Sequence, residues 1–275
     1  MYIHFIFDYA STEYFITWIL MMEKLPLSVI VLAYNEEDNL PDCLKSASFA
    51  AEIILVDSGS TDKSDDIAKS FGCKILQRPL NGDYAAQRNF AIAHASNEWV
   101  MMLDADERIT SELAEEIKEA VLSNQDFCWR ISRENHFVEG KVLHGVLRPD
   151  KVERLFKKSS AKYEGSVHER LQCPFPKKEL QGRLIHFPYK SWEIHLDKMN
   201  RYTTMLAQKY AAQGKNSNFL SGIMIKPLWA FLKTYVVHLG FLDGKLGFEF
   251  CLLHGFYTLE KYIKLRSINR FNGRI

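Results

Sequence analysis

The sequence has no charge imbalance, no paired-cysteine motif and no glycine-rich dinucleotide loop. Thirty-five Lys and Arg residues stand against 34 Asp and Glu residues, and a formal charge of +1 gives no global signature of a nucleic-acid binder. The five cysteines contain no C-x-x-C pair, which argues against a metal knuckle or redox motif and is typical of a reducing compartment. Because no G-x-G-x-x-G follows the first apolar run, a dinucleotide oxidoreductase is disfavoured.

Long hydrophobic runs are also missing. No segment reaches about 20 uninterrupted apolar residues, so we expect no membrane-spanning helix. Residues 1–20 are rich in aromatics, but His4, Asp8 and Glu13 interrupt them. The absence of a basic region before this stretch and of a small-residue cleavage site after it disfavours a signal peptide. We interpret residues 1–25 as a tail outside the core, with Met21 or Met22 as the expected start.

The first half of the chain alternates strand-like and helix-like segments. Residues 27–34 read LSVIVLAY, a run typical of a parallel strand buried on both faces. Similar short strands are predicted at 53–56, 74–77 and 99–103, with helices between them, one of them capped by Thr61. Short connections between such elements predict an α/β fold: an open, mostly parallel sheet with helices on both faces.

The second half has a different pattern. Short strands are predicted at 127–131 and 154–156, some of them antiparallel, followed by a long helix over 192–212. Residues 219–268 combine many apolar and aromatic residues with scattered Lys and Arg, and a glycine-containing bend at 240–247 predicts two helices. We therefore predict an α/β domain over 26–212 and an amphipathic helical region over 213–275. This region is suited either to a membrane interface or to packing on the first domain.

Polar residues follow three of the predicted strands. They are Asn35 with Glu36, Asp57 with Ser58, and the D-x-D pair Asp104 and Asp106. Ligands of open α/β sheets bind beyond the carboxyl ends of the strands, so these side chains are expected around one pocket. Taken alone, a D-x-D pair is more often a solvated turn; at a strand end, two carboxylates suit a divalent cation that also binds substrate phosphates.

Other polar residues allow two interpretations each. Asp57 can accept from the imide N–H of a pyrimidine, and Asn35 and Glu36 can reach a ribose or base edge. The alternative for each is a helix cap, which Asp62 and Asn39 could supply instead. Arg88, on the third predicted helix, either faces a nucleotide or is solvated. The neighbouring Glu107 adds negative charge beside the D-x-D pair.

Four ordered motifs resemble one family. Residues 29–37 read VIVLAYNEE, 54–62 read ILVDSGSTD, 86–89 read AQRN and 103–107 read LDADE. Together they are similar to the nucleotide-binding half of family 2 glycosyltransferases, which have the GT-A fold. The similarity to lipopolysaccharide-core β-glucosyltransferases extends through RENH at 133–136, RLF at 154–156, VHER at 167–170 and LGFLDG at 239–244, and covers residues 26–266.

The resemblance implies a role for each matching position. Asn35, Glu36 and Asp57 would contact base and ribose, and Glu169 would be the general base of an inverting transfer. The competing interpretation pairs Glu169 with Arg170 or Arg154 in a structural ion pair. The predicted site comprises Glu169 as catalytic residue; Tyr34, Asn35, Glu36, Asp57, Ser58, Arg88 and Asp104 at the nucleotide sugar; and Asp104 and Asp106 at the metal. His168, His186, Lys198 and Arg201 are candidates for the diphosphate or acceptor, although a single histidine is more often structural and a helix face with two cations is more often solvated.

The resemblance also implies partners. The expected donor is a nucleotide diphosphate sugar such as a UDP-hexose, with glucose as the transferred sugar and Mg²⁺ or Mn²⁺ as cofactor. The expected acceptor is a lipopolysaccharide-core or other lipid-linked glycan, reached at the inner face of the cell membrane. Two alternatives remain open: a polyprenyl-phosphate glycosyltransferase, and a nucleotide-sugar-binding module without transfer activity.

Overall fold

The computed structural model describes residues 24–137, 140–165 and 169–271. The predictions for residues 1–20, including the start at Met21 or Met22, lie outside this part of the chain. Among the described residues, two compact units are present: one holds residues 24–132 together with 151–184, and the other holds residues 133–150 and 185–271. The predicted domains, 26–212 and 213–275, stay a prediction.

A parallel sheet forms the centre of the first unit. Strands β1, β2, β3 and β4 lie side by side in the order β3-β2-β1-β4, and each adjacent pair is parallel. Most residues of β1, β4 and the second half of β2 are buried, as expected for a sheet covered on both faces, whereas the edge strand β3 is only partly buried. The strands are β1 Leu25–Ala33, β2 Ala50–Asp57, β3 Lys74–Gln77 and β4 Trp99–Asp104.

Beyond β4 the sheet continues with strands from later in the chain. The order is β4-β8-β6-β11-β5, and β8 pairs antiparallel with both β4 and β6. The predicted mixture of parallel and antiparallel strands is therefore present. The further strands are β5 Glu107–Ile109, β6 Cys128–Phe137, β7 Gly140–Val142, β8 Lys151–Lys157, β9 Lys162–Glu164, β10 Arg170–Gln172 and β11 Lys177–His186. Strands β9 and β10 form a separate antiparallel pair.

Four helices of the first unit follow the strands: α1 Leu40–Ser46, α2 Ser64–Ser70, α3 Tyr84–Ala93 and α4 Ser111–Ser123. Asp83 caps α3 by accepting from the Ala86 N–H at 2.9 Å, and Thr110 caps α4. The predicted cap at Thr61 is wrong. Helix α2 begins three residues later because Asp62 accepts from the Ser64 N–H at 3.0 Å and turns the chain there.

The second unit is mainly helical. Helix α5, Trp192–Ala212, has the predicted bounds. It belongs with the C-terminal helices because Ala207 packs with Leu265 and Ile268 in one buried cluster. Strand β7 pairs with the end of β6 in this unit, where Phe137 packs near Phe250.

The predicted pair of C-terminal helices is present. Helix α6, Lys226–Leu232, lies between the π-helical turns Leu220–Ile225 and Lys233–Val237, and a 3₁₀ turn at Gly240–Asp243 leads into helix α7, Gly244–Arg270. Leu220–Val237 has 18 residues, a mean hydropathy of 1.2 and only 11% of its residues buried. By length and composition alone this segment can cross a membrane, so the prediction that no helix is apolar enough to span one is not confirmed.

Candidate functional site

Hydrogen bonds join the loops that follow β1 and β2. Asn35 has a left-handed backbone with φ of 54°. Its side-chain oxygen accepts from the Thr61 N–H at 2.8 Å, while its own N–H donates to the Ser60 hydroxyl at 2.8 Å. The Glu36 N–H donates to the Ser64 hydroxyl at 2.9 Å. The two strand ends predicted to meet are therefore held together by these contacts.

Asp57 organises the second of these loops. Its side chain is buried, and one carboxylate oxygen accepts from the N–H groups of Gly59 at 2.9 Å and Ser60 at 3.0 Å. The other oxygen accepts from the Ser60 hydroxyl. A carboxylate already accepting several hydrogen bonds has little capacity left for a nucleobase. The structure shows a loop-organising role for Asp57, and its predicted contact with a base stays a prediction.

A cavity of about 370 Å³ opens where β1 and β2 end. Three predicted nucleotide-binding residues, Tyr34, Glu36 and Ser58, lie in its wall. The Tyr34 ring is 61% exposed, so a planar group can stack on it. The remaining wall comes from Leu32, Ala33, Leu80, Tyr84 and Gln87. A concave, largely apolar site with a few polar groups is the usual form of a small-molecule pocket.

Two arginines bind Asp104 at the end of β4. Arg154 donates to both carboxylate oxygens, and Arg88 donates from Nη2 to Oδ1 at 3.2 Å. Burial raises the pKa of Asp104, but the positive charges of Arg154 and then Arg88 outweigh this and hold the pKa well below its usual range. Asp104 is therefore a carboxylate at any physiological pH.

Arg154 and Glu107 complete this network, and neither was predicted as a site residue. Glu107 is fully buried and accepts from Arg154 Nη2 at 2.7 Å and from the Asp104 N–H at 2.9 Å. The predicted extra negative charge of Glu107 is thus compensated by a buried arginine. The sequence signal for Arg154 was weak. It consists of one arginine directly before the apolar residues Leu155 and Phe156, which are fully buried in β8.

Arg88 joins the D-x-D segment to the predicted base. It is only 8% exposed, so its interpretation as a solvated arginine is wrong. Its Nε donates to Glu169 Oε1 at 3.2 Å, and its guanidinium lies 5.3 Å from the centre of the Tyr163 ring. Glu169 therefore pairs with Arg88, whereas the sequence suggested Arg170 or Arg154. One buried guanidinium thus fixes Glu169 and Asp104 relative to each other.

The two carboxylates of the D-x-D pair, Asp104 and Asp106, lie in different environments. Asp104 is neutralised by two arginines, whereas Asp106 is half-buried at the start of the turn after β4. Within the described ranges no group of three or more His, Cys, Asp or Glu side chains is arranged to hold a metal. Mg²⁺ usually keeps waters and takes one or two carboxylates plus substrate phosphates, so two neighbouring carboxylates fit such an ion, and the metal site at Asp104 and Asp106 stays a prediction.

The four residues predicted for the diphosphate or acceptor belong to the second unit or lie outside the described residues. His168 is among the residues that the structure does not describe. His186 Nδ1 lies 2.6 Å from Asn135 Oδ1, which gives it a structural partner. Lys198 Nζ lies 5.2 Å from the centre of the Tyr189 ring, and Arg201 is exposed. Their predicted contacts with a diphosphate or acceptor stay predictions.

The fold and the carboxylate–arginine cluster at the strand ends define an α/β enzyme with a strand-end pocket. Residues 28–158 match the family model described as Glycosyl transferase family 2. The lipopolysaccharide core biosynthesis glycosyltransferase LpsC of Rhizobium meliloti is 30% identical over 266 residues, which cover 92% of this chain and 97% of that protein. The chain therefore belongs to glycosyltransferase family 2, and the predicted resemblance is confirmed.

A second curated relative agrees with this family. An uncharacterised glycosyltransferase of Rickettsia typhi is 29% identical and covers 88% of this chain and 87% of its own length. A crystal structure of residues 1–349 of S. aureus TarS is 14% identical, with a TM-score of 0.44, and covers 90% of this chain and 91% of that one. The chain is a glycosyltransferase with the predicted GT-A type of α/β fold and additional C-terminal helices.

Proposed function

We propose that this enzyme transfers a hexose, with glucose as the first candidate, from a nucleotide diphosphate sugar to a lipopolysaccharide-core or other lipid-linked glycan, with inversion at the anomeric carbon. The observation that carries the proposal is the pairing of Glu169 and Asp104 through Arg88, because it links a carboxylate base to the D-x-D segment. The acceptor class is supported by the name of the Rhizobium relative, a lipopolysaccharide core biosynthesis glycosyltransferase.

The cavity at the ends of β1 and β2 is the proposed donor site. Its volume of about 370 Å³ suits a nucleoside, and its aromatic residues Tyr34 and Tyr84 offer surfaces for a base. Uracil is the proposed base. Asn35 and Asp57 contribute mainly by fixing the two loops that shape this cavity. Ser58 ties the second loop to β1 and α3, since its N–H donates to the Ala33 carbonyl and its hydroxyl accepts from Gln87.

Inversion requires a single displacement. The acceptor hydroxyl oxygen forms a bond to the anomeric carbon as the bond from that carbon to the diphosphate oxygen breaks, and Glu169 accepts the hydroxyl proton. The leaving nucleotide diphosphate takes the bonding electron pair. Arg88 orients the Glu169 carboxylate, whose side chain is 18% exposed and therefore still accessible to an acceptor.

A divalent cation is the proposed cofactor. Asp106 would be its main protein ligand, with Asp104 nearby and the donor phosphates completing the coordination. When bound, the ion neutralises the negative charge that develops on the leaving diphosphate. Arg88 and Arg154 keep Asp104 ionised, which preserves a polar anchor for the donor sugar or ribose.

The proposed place of action is the inner face of the cell membrane. The C-terminal helical hairpin, defined as residues 219–270 with helices α6 and α7, carries many exposed apolar side chains and the exposed cations Lys233 and Lys245. Apolar patches of this kind, next to Lys residues, suit an interface with anionic lipid headgroups. The exposed apolar residues are Phe219, Leu220, Met224, Ile225, Leu228, Trp229, Val236, Val237, Phe241, Leu242, Phe248, Leu252 and Phe256.

A donor screen tests the proposed reaction. Purified enzyme is incubated with each nucleotide diphosphate hexose and a lipopolysaccharide-core acceptor, with and without chelator, and glycan products are measured. We expect transfer from a UDP-hexose and its loss on chelation. Product formation on polyprenyl phosphate alone would support the first alternative and contradict the glycan acceptor. Donor binding with no transfer to any acceptor would support the non-catalytic module.

The variant Glu169→Gln tests the base. Glutamine keeps the shape and can still accept from Arg88, but cannot take a proton. We expect donor affinity to be unchanged and kcat to fall by about 10²- to 10⁴-fold, the usual contribution of a general base. Glu164→Gln, at an exposed carboxylate of strand β9, is the matched control. Wild-type kcat in Glu169→Gln would show that another group accepts the proton.

A further inference from the structure

A second cavity, of about 250 Å³, lies wholly within the second unit. Helix α5 and the residues before it supply one side, and helix α7 supplies the other. On α7, the lining residues Phe250, Leu253, His254 and Tyr257 follow the i, i+3, i+4, i+7 spacing of a single helix face. The rest of the lining comes from Val146, Tyr189, His195, Lys198, Met199 and Tyr202.

Polar groups without hydrogen-bond partners converge on this cavity. Among the described residues, the hydroxyls of Tyr189, Tyr202 and Tyr257 and the rings of His195 and His254 make no hydrogen bond within the protein. Of these groups, His195 Nδ1 is a buried atom without a partner, which costs about 1–3 kcal/mol, whereas Tyr202 is 50% exposed. A cavity wall with this many free donors and acceptors is therefore suited to a ligand with several hydroxyl groups.

Aromatic rings hold the wall in place. The His195 ring lies 4.2 Å from that of Tyr189 and 5.3 Å from that of Phe250, and His254 stacks on Tyr257 with centres 6.0 Å apart. Rigid aromatic faces beside hydrogen-bonding groups match a sugar ring, which has apolar C–H faces and a polar edge. Pockets for drug-sized ligands occupy about 300–1,000 Å³, so this smaller volume suits one sugar residue.

The charges of the residues that line the cavity favour an anionic ligand. Burial lowers the pKa of both His195 and His254, so both rings are neutral at pH 7. Burial raises the pKa of Tyr189 and Tyr257, which keeps these phenols neutral too. Lys198 is then the single formal charge among the described lining residues, and none of them is a carboxylate. An acidic or phosphorylated sugar is favoured over a neutral one.

We propose that the cavity between α5 and α7 binds an acidic or phosphorylated sugar residue, with Lys198 pairing its anionic group. That this sugar belongs to the acceptor glycan rests on the proposed function. The binding itself does not, because it requires neither donor nor transfer.

Ligand-observed NMR titrations with glucose 6-phosphate, glucose and inorganic phosphate test the site on the full chain. We expect saturable binding of glucose 6-phosphate that is tighter than that of either comparison compound. Lys198→Met should weaken glucose 6-phosphate binding by about tenfold, equivalent to about 1.4 kcal/mol, and leave glucose binding unchanged. Lys209→Met, an exposed lysine on the same helix, should change neither.

A variant that fills the cavity provides a second test of the proposal. Leu253→Trp should abolish binding of both sugars while UDP binding and the melting temperature stay close to wild type. Unchanged sugar affinity in Lys198→Met and Leu253→Trp would locate binding elsewhere and overturn the proposal. Saturable binding of decanoate without sugar phosphate binding would also overturn it, because the cavity would then be an acyl-chain site. A transfer-inactive enzyme that still binds glucose 6-phosphate here would contradict only the proposed reaction.

Discussion

At the residue scale, Arg154 is the centre of the charge network under the candidate site. It is 5% exposed and binds the carboxylates of both Asp104 and Glu107. A buried charge is tolerable only when it is paired, and removing one partner leaves the others uncompensated. In the absence of Arg154, the remaining arginine of this network, Arg88, pairs with Asp104 and also with Glu169. The network therefore contributes to stability mainly because replacing one of its members leaves a buried charge without a partner.

The variant Arg154→Met should be strongly destabilised. Methionine fills much of the same volume but leaves Asp104 and Glu107 without their shared partner, a change that costs about 3–5 kcal/mol in comparable sites. Denaturant unfolding measures the effect. Arg170→Met, at an exposed arginine of β10, is the matched control and should change the free energy of unfolding by about 0.5 kcal/mol or less. Equal stability of the two variants would mean that the network contributes little.

The depressed pKa of Asp104 predicts a pH dependence of stability. In the unfolded chain an aspartate titrates at about 3.9, whereas in the folded protein Arg154 and Arg88 hold the pKa well below this. The contribution is present above the unfolded pKa and is lost as pH falls below about 4 toward the folded pKa. Thermal unfolding from pH 7 to pH 3 measures the loss. In Asp104→Asn this part of the pH dependence should disappear; a slope identical to wild type would assign it to other carboxylates.

At the scale of elements, β11 and α4 approach so closely that only glycine fits between them. A Cβ at Gly182 would lie 2.6 Å from the Leu113 Cα, inside the backbone of α4. The Gly182 N–H also donates to Glu116 on the same helix at 3.1 Å. This contact fixes β11 against the helix that follows the D-x-D segment.

Gly182→Ala should therefore destabilise the enzyme by about 1–3 kcal/mol, the usual range for overpacking. The effect is steric, and the melting temperature measures it. Gln181→Ala changes the neighbouring exposed side chain of the same strand and should leave stability near wild type. A wild-type melting temperature in Gly182→Ala would show that strand and helix can separate without cost.

The elements differed in how far the sequence could predict them. Strands β1 to β4 and helix α5 were found close to their observed bounds, because continuous apolar runs and 3.6-residue periodicity are local signals. The pairing of β8 between β4 and β6 was not predicted, since partners far apart in sequence leave no local pattern. Arg88 shows the same limit: Glu169 lies 81 residues away, and helix position alone suggested solvent exposure.

At the scale of the whole molecule, each unit carries a different part of the chemistry. The first unit holds the parallel sheet, the donor-type cavity and the Asp104–Arg88–Glu169 cluster. The second unit holds the apolar hairpin and the cavity beside Lys198. Lys264 illustrates how the second unit is built. It is one of the scattered cations of residues 219–268, for which a membrane interface was one interpretation. In the structure it pairs with Glu260 at 2.6 Å and donates to the Thr203 hydroxyl at 2.9 Å, which ties α7 to α5.

The exposed apolar face of the hairpin predicts binding to anionic vesicles. Trp229 is 59% exposed on α6. Burying one large apolar side chain contributes about 1.5–3 kcal/mol, so Trp229→Glu should weaken sedimentation with phosphatidylglycerol-containing vesicles by tenfold or more. Leu122→Glu, at a 65% exposed leucine of the first unit, is the control and should leave vesicle binding unchanged. High salt should weaken binding only partly, because apolar burial is insensitive to screening. Equal binding by both variants, or none by the wild type, would contradict a membrane role for this face.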